Sequence, residues 1–252
     1  MKVALGIDIG GSGIKGALVD TKRGKMVTDR YRIPTPRPAT PENVVATVEK
    51  IRRHFNYEGY IGVGFPGIVI DGTTHSAVNI HKDWYDFPAE KEIAEATGCE
   101  VLVRNDADVA GFAEMRFGAG KKARGETMIF TLGTGIGSSL FVGNVCVPNL
   151  EMGHIYLPGH EEDAEYYTSD RARKDQNLSW KVWGKRLNEY FQHIEFLFSP
   201  QLIIIGGGVS KHHEKFLKYI KIDAEVVPAK LLNDAGIIGA AAAAATGGDC
   251  TL

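Results

Sequence analysis

The sequence predicts an α/β protein built from two related halves. The chain has 252 residues, which is enough for one large domain or two lobes with a large apolar core. Its composition, with 44% hydrophobic and 24% charged residues, excludes a disordered chain. Apolar segments rich in β-branched residues alternate with segments of helical periodicity. In addition, an apolar strand, a glycine-rich turn and a second strand occur at residues 2–19 and again at residues 127–142.

The first half is predicted to begin with three antiparallel strands, over residues 2–8, 14–19 and 26–33. A dinucleotide-binding unit needs a helix after its first glycine turn, so this order disfavours such a site. Thr40 and Pro41 predict the start of a helix. The expected elements are that helix, with an apolar stripe at Val44, Val45, Val48 and Ile51, a strand over 60–65, a helix over 87–97 stopped by Gly98, a strand over 100–104 and a helix over 107–117.

The second half is predicted to repeat the strand, turn and strand over residues 127–132 and 137–142, with a hairpin turn at Gly143-Asn144. A long helix over 178–198, a strand over 201–205 and a helix from about Lys211 follow. The last helix is rich in alanine and too short to span a bilayer, and its glycines indicate tight packing. We therefore expect it to be buried.

Charge and cysteine content narrow the class of protein. The net charge is −2, which argues against a dedicated nucleic-acid or membrane-surface partner. Cys99, Cys146 and Cys250 are far apart in the sequence and form no CxxC pair, so a zinc site and a disulfide framework are both disfavoured. A reducing, cytoplasmic location is expected.

Three glycine-rich turns follow apolar strands. Glycine lets the backbone N–H groups approach an anion closely, and hydroxyl side chains add further donors to phosphate oxygens. Each turn alone is equally compatible with a tight hairpin or a strand-to-helix corner, but three together favour phosphate binding. The candidate residues are Gly10, Gly11, Ser12, Gly133, Thr134, Gly135, Gly206, Gly207 and Gly208.

Two charged residues accompany the first turn. Asp8 ends the first strand, where a carboxylate can hold Mg²⁺ near phosphates, directly or through water. Lys15 lies in the second strand and is either a phosphate ligand or a solvated charge.

Asn105-Asp106-Ala107-Asp108 stands at a predicted strand-to-helix junction. Asp106 is the candidate general base, taking the proton from a substrate hydroxyl as a phosphoryl group arrives. The alternative for an aspartate at this place is a helix N-cap, and we expect Asp108 to be the cap.

Acidic and basic residues are separated in the second half. Glu151 and His154 can bind adjacent sugar hydroxyls, and their alternative is a surface loop with a chance histidine. Glu165 is a further acceptor whose alternative is a solvated acidic surface. The stretch after them is basic and is either the solvated side of a helix or a strip for a polyanion. Its cations are Arg171, Arg173, Lys174, Lys181, Lys185 and Arg186, with Lys121, Lys122 and Arg124 earlier in the chain.

A resemblance to the polyphosphate glucokinases, a branch of the ROK sugar kinases, runs from the first predicted strand to the last helix. It is carried by GIDIGGSGIKGALVD, RIPTPRPATPE, VGFPGIV, RNDADVAGFAEMRFG, TLGTGIGSSLF, VPNLEMGHI, LSWKVWGKRL, LIIIGGGVSK and NDAGIIGAA. The resemblance implies the actin-like, hexokinase-like ATPase fold, a ribonuclease H-like repeat in two lobes around a cleft. We expect a small lobe over residues 1–108, with a C-terminal helix over 236–252 packing back on it, and a large lobe over 109–235.

The resemblance also implies residue roles. Asp106 matches the catalytic base, Asn105, Glu151 and His154 match ligands of sugar hydroxyls, and Glu165 matches a family glutamate although its surroundings differ. The glycine turns match phosphate and nucleotide loops. Separately from the resemblance, the basic stretch offers Arg171, Arg173 and Lys174 as the expected polyphosphate ligands. Many ROK kinases carry a Cys-rich zinc motif after the Gly-His pair, whereas residues 155–170 hold no cysteine. The loop before Glu165 must therefore be held in another way.

The expected activity is transfer of a phosphoryl group from inorganic polyphosphate, and also from ATP, to the 6-hydroxyl of glucose, with Mg²⁺ as cofactor. The resemblance also implies a homodimer. Two alternatives stay open: a ROK kinase that uses only ATP on glucose, mannose or fructose, and a catalytically silent sugar sensor. The presence of Asp106 and all three glycine turns disfavours the sensor.

Overall fold

The computed structural model describes residues 3–76, 80–143 and 145–247. Lys2, Asn144 of the predicted hairpin turn, and residues 248–252 of the predicted last helix, with Cys250, lie outside these ranges. The chain forms two compact units, one of Met1–Phe117 with Asp234–Leu252 and one of Gly118–Asn233. Within these ranges, Cys99 and Cys146 form no disulfide.

The first unit is built on a sheet with the strand order β3-β2-β1-β5-β8, in which β4 also pairs with β2. β1 runs antiparallel to β2 and parallel to β5, and β5 runs parallel to β8. β6 and β7 form a separate two-stranded sheet. The elements are β1 (Val3–Gly10), β2 (Gly13–Asp20), β3 (Lys25–Met26), β4 (Tyr31–Ile33), α1 (Pro41–His54), β5 (Ile61–Phe65), β6 (Val69–Ile70), β7 (Thr73–Thr74), α2 (Ala89–Thr97), β8 (Val101–Asn105) and α3 (Asp106–Phe117).

The predicted signals for α1 and α2 are confirmed. The Thr40 side chain accepts a hydrogen bond from the Asn43 backbone N–H, which caps α1. Val44, Val48 and Ile51 are fully buried in the core of this unit. Helix α2 ends at Gly98, which has the left-handed conformation that glycine adopts without strain.

The single strand predicted over residues 26–33 is wrong, because the chain forms β3 and β4 with a bend between them. At the bend, the Leu18 N–H donates to the Thr28 side-chain oxygen instead of to a strand carbonyl. A side chain that takes over a ladder hydrogen bond interrupts the regular pairing.

The second unit repeats the topology of the first, with the order β11-β10-β9-β12-β13. β9 runs antiparallel to β10 and parallel to β12, as β1 does to β2 and β5. The prediction of two related halves is therefore confirmed. The elements are β9 (Glu126–Leu132), β10 (Ile136–Val142), β11 (Val145–Val147), α4 (Ala164–Thr168), α5 (Asp170–Asp175), α6 (Trp180–Phe198), β12 (Leu202–Gly206) and β13 (Glu225–Pro228).

Helix α6 is a regular α-helix as predicted, whereas the segment after β12 is not. α6 is capped by Ser179 and buries Trp183, Leu187 and Tyr190 against its sheet. The helix predicted from Lys211 is wrong, because Gly208–Lys215 is a kinked 3₁₀ segment followed by a second 3₁₀ turn. Side chains in this segment bind backbone carbonyls locally, an arrangement that competes with α-helical bonding.

Helix α7 (Ala235–Ala245) is buried in the first unit, as expected for the alanine-rich segment. Gly6 of β1 and Gly62 of β5 lie directly against backbone atoms of α7, and Gly239 of α7 lies against the backbone of Val109 in α3. Because of these contacts, α3 belongs to the first unit, and the boundary between the units falls after Phe117. The boundary expected at residue 108 lies inside α3. No helix in the described part of the chain is long and apolar enough to cross a membrane.

Candidate active site

Asp106 is the first residue of α3, directly after the carboxyl end of β8. The cap of α3 is Asn105, whose side-chain oxygen accepts hydrogen bonds from the N–H groups of Ala107 (2.8 Å) and Asp108 (3.1 Å). The expectation that Asp108 caps this helix is therefore wrong. The N–H groups of Ala107 and Asp108 are thus satisfied by Asn105 and not by Asp108.

Asn105 is only 4% exposed. Its amide nitrogen donates to the carbonyl of Gly67 at 3.1 Å, in the loop after β5. With its oxygen engaged by two donors, a sugar oxygen could be bound only by the remaining amide hydrogen. The primary contribution of Asn105 is thus to shape the junction that carries Asp106.

Asp8 and Lys15 form an ion pair with 3.1 Å between Oδ2 and Nζ. They are directly opposite each other in the β1–β2 register, so Lys15 is not simply a solvated charge, and its role as a phosphate ligand stays a prediction. The carboxylate is 19% exposed, and Gly236 at the start of α7 is close to its other oxygen. A cation pairing and a glycine thus fix the orientation of Asp8.

The surroundings of Asp8 fit a weakly held Mg²⁺. This ion keeps several waters and binds proteins through one or two carboxylates together with substrate phosphates, so a single accessible carboxylate suffices. Within residues 3–76, 80–143 and 145–247, no group of three or more His, Cys, Asp or Glu side chains is arranged to hold a metal ion.

Each glycine turn contains one glycine with open space around it. No described atom outside the local chain lies within 4 Å of a Cβ built on Gly11, Gly133 or Gly208. Ser12 and Thr134 beside them are exposed. At these three positions a ligand can approach the backbone without meeting a side chain.

Other glycines of the turns have structural roles. Gly207 has a φ of +79°, and a side chain there would meet the backbone of Leu132. Gly135 lies against the carboxylate of Glu165. In these turns, some glycines leave the backbone accessible to a ligand, and others are needed because a side chain would collide with neighbouring atoms.

Glu151 lies on a segment that is clamped on both sides. The buried Ser138 hydroxyl donates to the carbonyl of Leu150 (2.8 Å) and accepts from the N–H of Met152 (3.0 Å). The Tyr190 hydroxyl of α6 donates to the carbonyl of Met152 at 3.1 Å. Ser138 and Tyr190 are not adjacent to Glu151 in sequence, and no local pattern identifies them.

Glu151, His154 and Glu165 influence one another electrostatically. Burial raises the pKa of Glu151, His154 lowers it and Glu165 raises it, and the net shift is upward. Glu165 is half-buried and accepts a hydrogen bond from the Ile136 N–H at 2.8 Å, so it is not part of a solvated acidic surface. The structure therefore brings these three residues together with the Gly133–Gly135 turn.

His154 has a raised pKa. Burial lowers it, but the hydrogen bond to Asp163 and the charges of Glu165, Asp163 and Glu151 outweigh burial. The His154 Nδ1 and Asp163 Oδ2 atoms are 2.8 Å apart. Asp163 was not among the residues selected from the sequence.

The cations of the basic stretch differ in accessibility. Arg173 is only 16% exposed, with Nε 2.8 Å from an Asp170 oxygen and its guanidinium 4.1 Å above the Trp180 ring. Lys174 also pairs with Asp170, yet 64% of its side chain is exposed. Arg171 is exposed, whereas Arg173 mainly stabilises the junction of α5 and α6.

Comparison with known proteins and the duplicated sheets indicate the same fold. The paired topologies and the structural similarities described below define the actin-like, hexokinase-like ATPase fold. The model of the ROK family matches residues 4–167, and the chain belongs to this family.

Three relatives show the extent of the similarity. A polyphosphate glucokinase of Mycobacterium tuberculosis is 40% identical over 94% of this chain and 89% of its own length. The crystal structure of an inorganic polyphosphate/ATP-glucomannokinase from Arthrobacter sp. strain KM has a TM-score of 0.93 and 44% identity, covering 98% of this chain and all of that one. A ROK family glucokinase from Streptomyces griseus, in complex with glucose and AMPPNP, has a TM-score of 0.84 and 25% identity, covering 97% of this chain and all of its own.

Proposed function

We propose that this protein transfers a phosphoryl group from inorganic polyphosphate, and also from ATP, to the 6-hydroxyl of glucose, giving glucose 6-phosphate. The observation that carries the proposal is the 40% identity over 94% of the chain to a polyphosphate glucokinase. The structural match to a glucomannokinase that is named for both polyphosphate and ATP supports the same pair of donors.

The residues take the following roles in the proposal. Asp106 accepts the proton of the attacking hydroxyl, a task suited to a carboxylate at the junction of a strand and a helix. Glu151, His154 and Glu165 bind sugar hydroxyls, with a smaller contribution from the Asn105 amide. The open backbone at Gly11, Gly133 and Gly208 binds donor phosphates.

Asp8 is the residue that would hold Mg²⁺, with Lys15 restricting its carboxylate. When bound, the ion neutralises charge on the donor phosphates. A homodimer and a cytoplasmic location remain predictions from the family resemblance.

A donor panel tests the proposal. Glucose 6-phosphate formation is measured with polyphosphate and with ATP at several salt concentrations, with glucose, mannose and fructose as acceptors. We expect both donors to support phosphorylation of glucose. The KM for long polyphosphate should rise more steeply with salt than the KM for ATP, because a longer polyanion displaces more counterions from the protein and from itself. No transfer from polyphosphate at any salt concentration would contradict the proposal.

Variants of the basic stretch complete the panel. Neutralising Arg171 and Lys174 to Gln should raise the KM for polyphosphate several-fold and reduce its salt dependence, because each removes about one ionic contact. Arg173→Gln is the contrasting variant, and it should lower thermal stability because it breaks the contacts to Asp170 and Trp180.

The second candidate is a kinase that uses only ATP. The glucokinase structure in complex with glucose and AMPPNP favours it, since that relative covers the same length of chain. Equal salt dependence for the two donors, together with weak use of polyphosphate, would select this alternative.

A further inference from the structure

Asp163 is held in place by its own backbone. It pairs with Tyr156 across a short antiparallel bridge, and the next residue, Ala164, donates its N–H to the carbonyl of Ile155 at 2.8 Å. One of its carboxylate oxygens caps α4 by accepting from the Tyr166 N–H at 2.9 Å. The cap and the bridge together leave the side chain little freedom.

The second carboxylate oxygen of Asp163 is engaged by His154. Oδ2 lies 2.8 Å from Nδ1 of the ring. An ionised carboxylate can only accept hydrogen bonds, so Nδ1 must carry a proton. The ring atom that remains for a ligand is therefore Nε2.

The segment between His154 and Asp163 is also fastened at a second point. His160 Nε2 is 2.7 Å from Glu189 Oε1 of α6, and the Tyr167 hydroxyl donates to the other oxygen of Glu189 at 3.2 Å. Two histidine–carboxylate pairs thus fix this loop, which contains no cysteine. A fixed loop gives Asp163 a defined position relative to the ring.

Charge at Asp163 acts on His154 as well. The imidazole faces Asp163, Glu165 and Glu151, and these groups together raise its pKa although burial opposes them. The contribution of Asp163 combines a hydrogen bond and a charge, so its neutralisation should lower the pKa of His154.

We propose that Asp163 is a positioning residue, which holds the His154 ring through Nδ1–H and thereby presents Nε2 to a hydroxyl of the sugar. This inference rests on the proposed glucose kinase activity for its substrate. Asp163 itself touches no substrate atom and acts through His154.

The test compares Asp163→Asn with Glu162→Gln. Asparagine caps helices as well as aspartate, so D163N keeps the cap of α4 and loses the charge. Glu162 is the neighbouring acidic residue and is exposed. E162Q therefore removes one negative charge close to Asp163 and leaves the hydrogen bond between Asp163 and the His154 ring in place. The His154 pKa is measured by NMR titration without substrate, and the KM and kcat for glucose are measured in parallel.

D163N should lower the pKa of His154 by about one unit and raise the glucose KM roughly ten-fold, with a smaller effect on kcat. E162Q should leave both nearly unchanged. In a His154→Gln background, D163N should cause no further rise in KM, because its effect passes through the ring.

An unchanged His154 pKa in D163N would overturn the inference, as would a D163N effect of the same size in the His154→Gln background. If the wild-type protein does not phosphorylate glucose, the proposed function fails. The NMR titration then still decides whether Asp163 holds the ring.

Discussion

If Glu151 binds a sugar hydroxyl, as we propose, its charge state links sugar binding to pH. Because burial and the neighbouring Glu165 raise its pKa, the carboxyl group becomes protonated at a higher pH than an ordinary glutamate. In the proposed site, protonation removes the charge of this acceptor. Conversely, the folded state favours the neutral form, so the stability contribution of this group is complete at low pH and is lost as the pH rises through its raised pKa.

Glu151→Gln should therefore separate function from stability. Gln is neutral at every pH, so the Tm at neutral pH should equal or exceed that of the wild type, by up to about 3 °C. The KM for glucose should rise roughly ten-fold because a charged acceptor is lost. The acidic decrease in kcat/KM should become shallower. A Tm well below the wild-type value, with an unchanged glucose KM, would contradict this account.

At this scale, the sequence predicts residues whose chemistry and neighbours are local. Asp106, Glu151 and His154 are recognisable because each lies in a short motif. The pairing of Lys15 with Asp8 is not among the predictions, although a hairpin that turns at Gly11-Ser12 places these two positions opposite each other. Ser138 and Tyr190 act from other elements and leave no signal near Glu151.

Among the elements, α7 depends most on the absence of side chains in its neighbours. Gly6 and Gly62 allow the helix backbone to approach the sheet, and a Cβ at Gly62 would overlap the carbonyl of Ala240. Such an overlap with backbone atoms cannot be relieved by a rotamer change.

Gly62→Ala should lower the Tm by about 5 °C or more, since overpacking of a tight core costs about 1–3 kcal/mol. Gly133→Ala is the control, because its Cβ would enter open space. We expect this variant to keep the Tm within about 2 °C and to lose phosphoryl transfer, as the methyl group would block donor phosphates. Differential scanning calorimetry and the glucose kinase assay provide the two readouts. Equal thermal stability of the two variants would refute the packing argument.

Some boundaries of helices and strands can be predicted from local sequence patterns, and others cannot. Helices α1 and α2 begin and end at residues with strong local preferences, Thr40, Pro41 and Gly98, and they are predicted correctly. The bend between β3 and β4 depends on a hydrogen bond from Leu18 to the Thr28 side chain. The 3₁₀ segment after β12 also depends on side-chain bonds to carbonyls that periodicity does not reveal.

For the whole molecule, duplication is the most informative feature. The same strand order in both sheets accounts for the repeated strand, glycine turn and strand in the sequence. The unit boundary is harder to predict, because α3 follows β8 in the chain but is grouped by its contact with α7. That contact joins residues far apart in sequence.

We propose that Asp106 accepts the proton in phosphoryl transfer to glucose. The most direct test measures kcat for glucose phosphorylation and, separately, glucose affinity by calorimetry, for the wild type, Asp106→Asn and Glu151→Gln. We predict that D106N lowers kcat by roughly 10²-fold or more and binds glucose nearly as tightly as the wild type, whereas E151Q mainly loses affinity. Wild-type turnover in D106N would contradict the assignment.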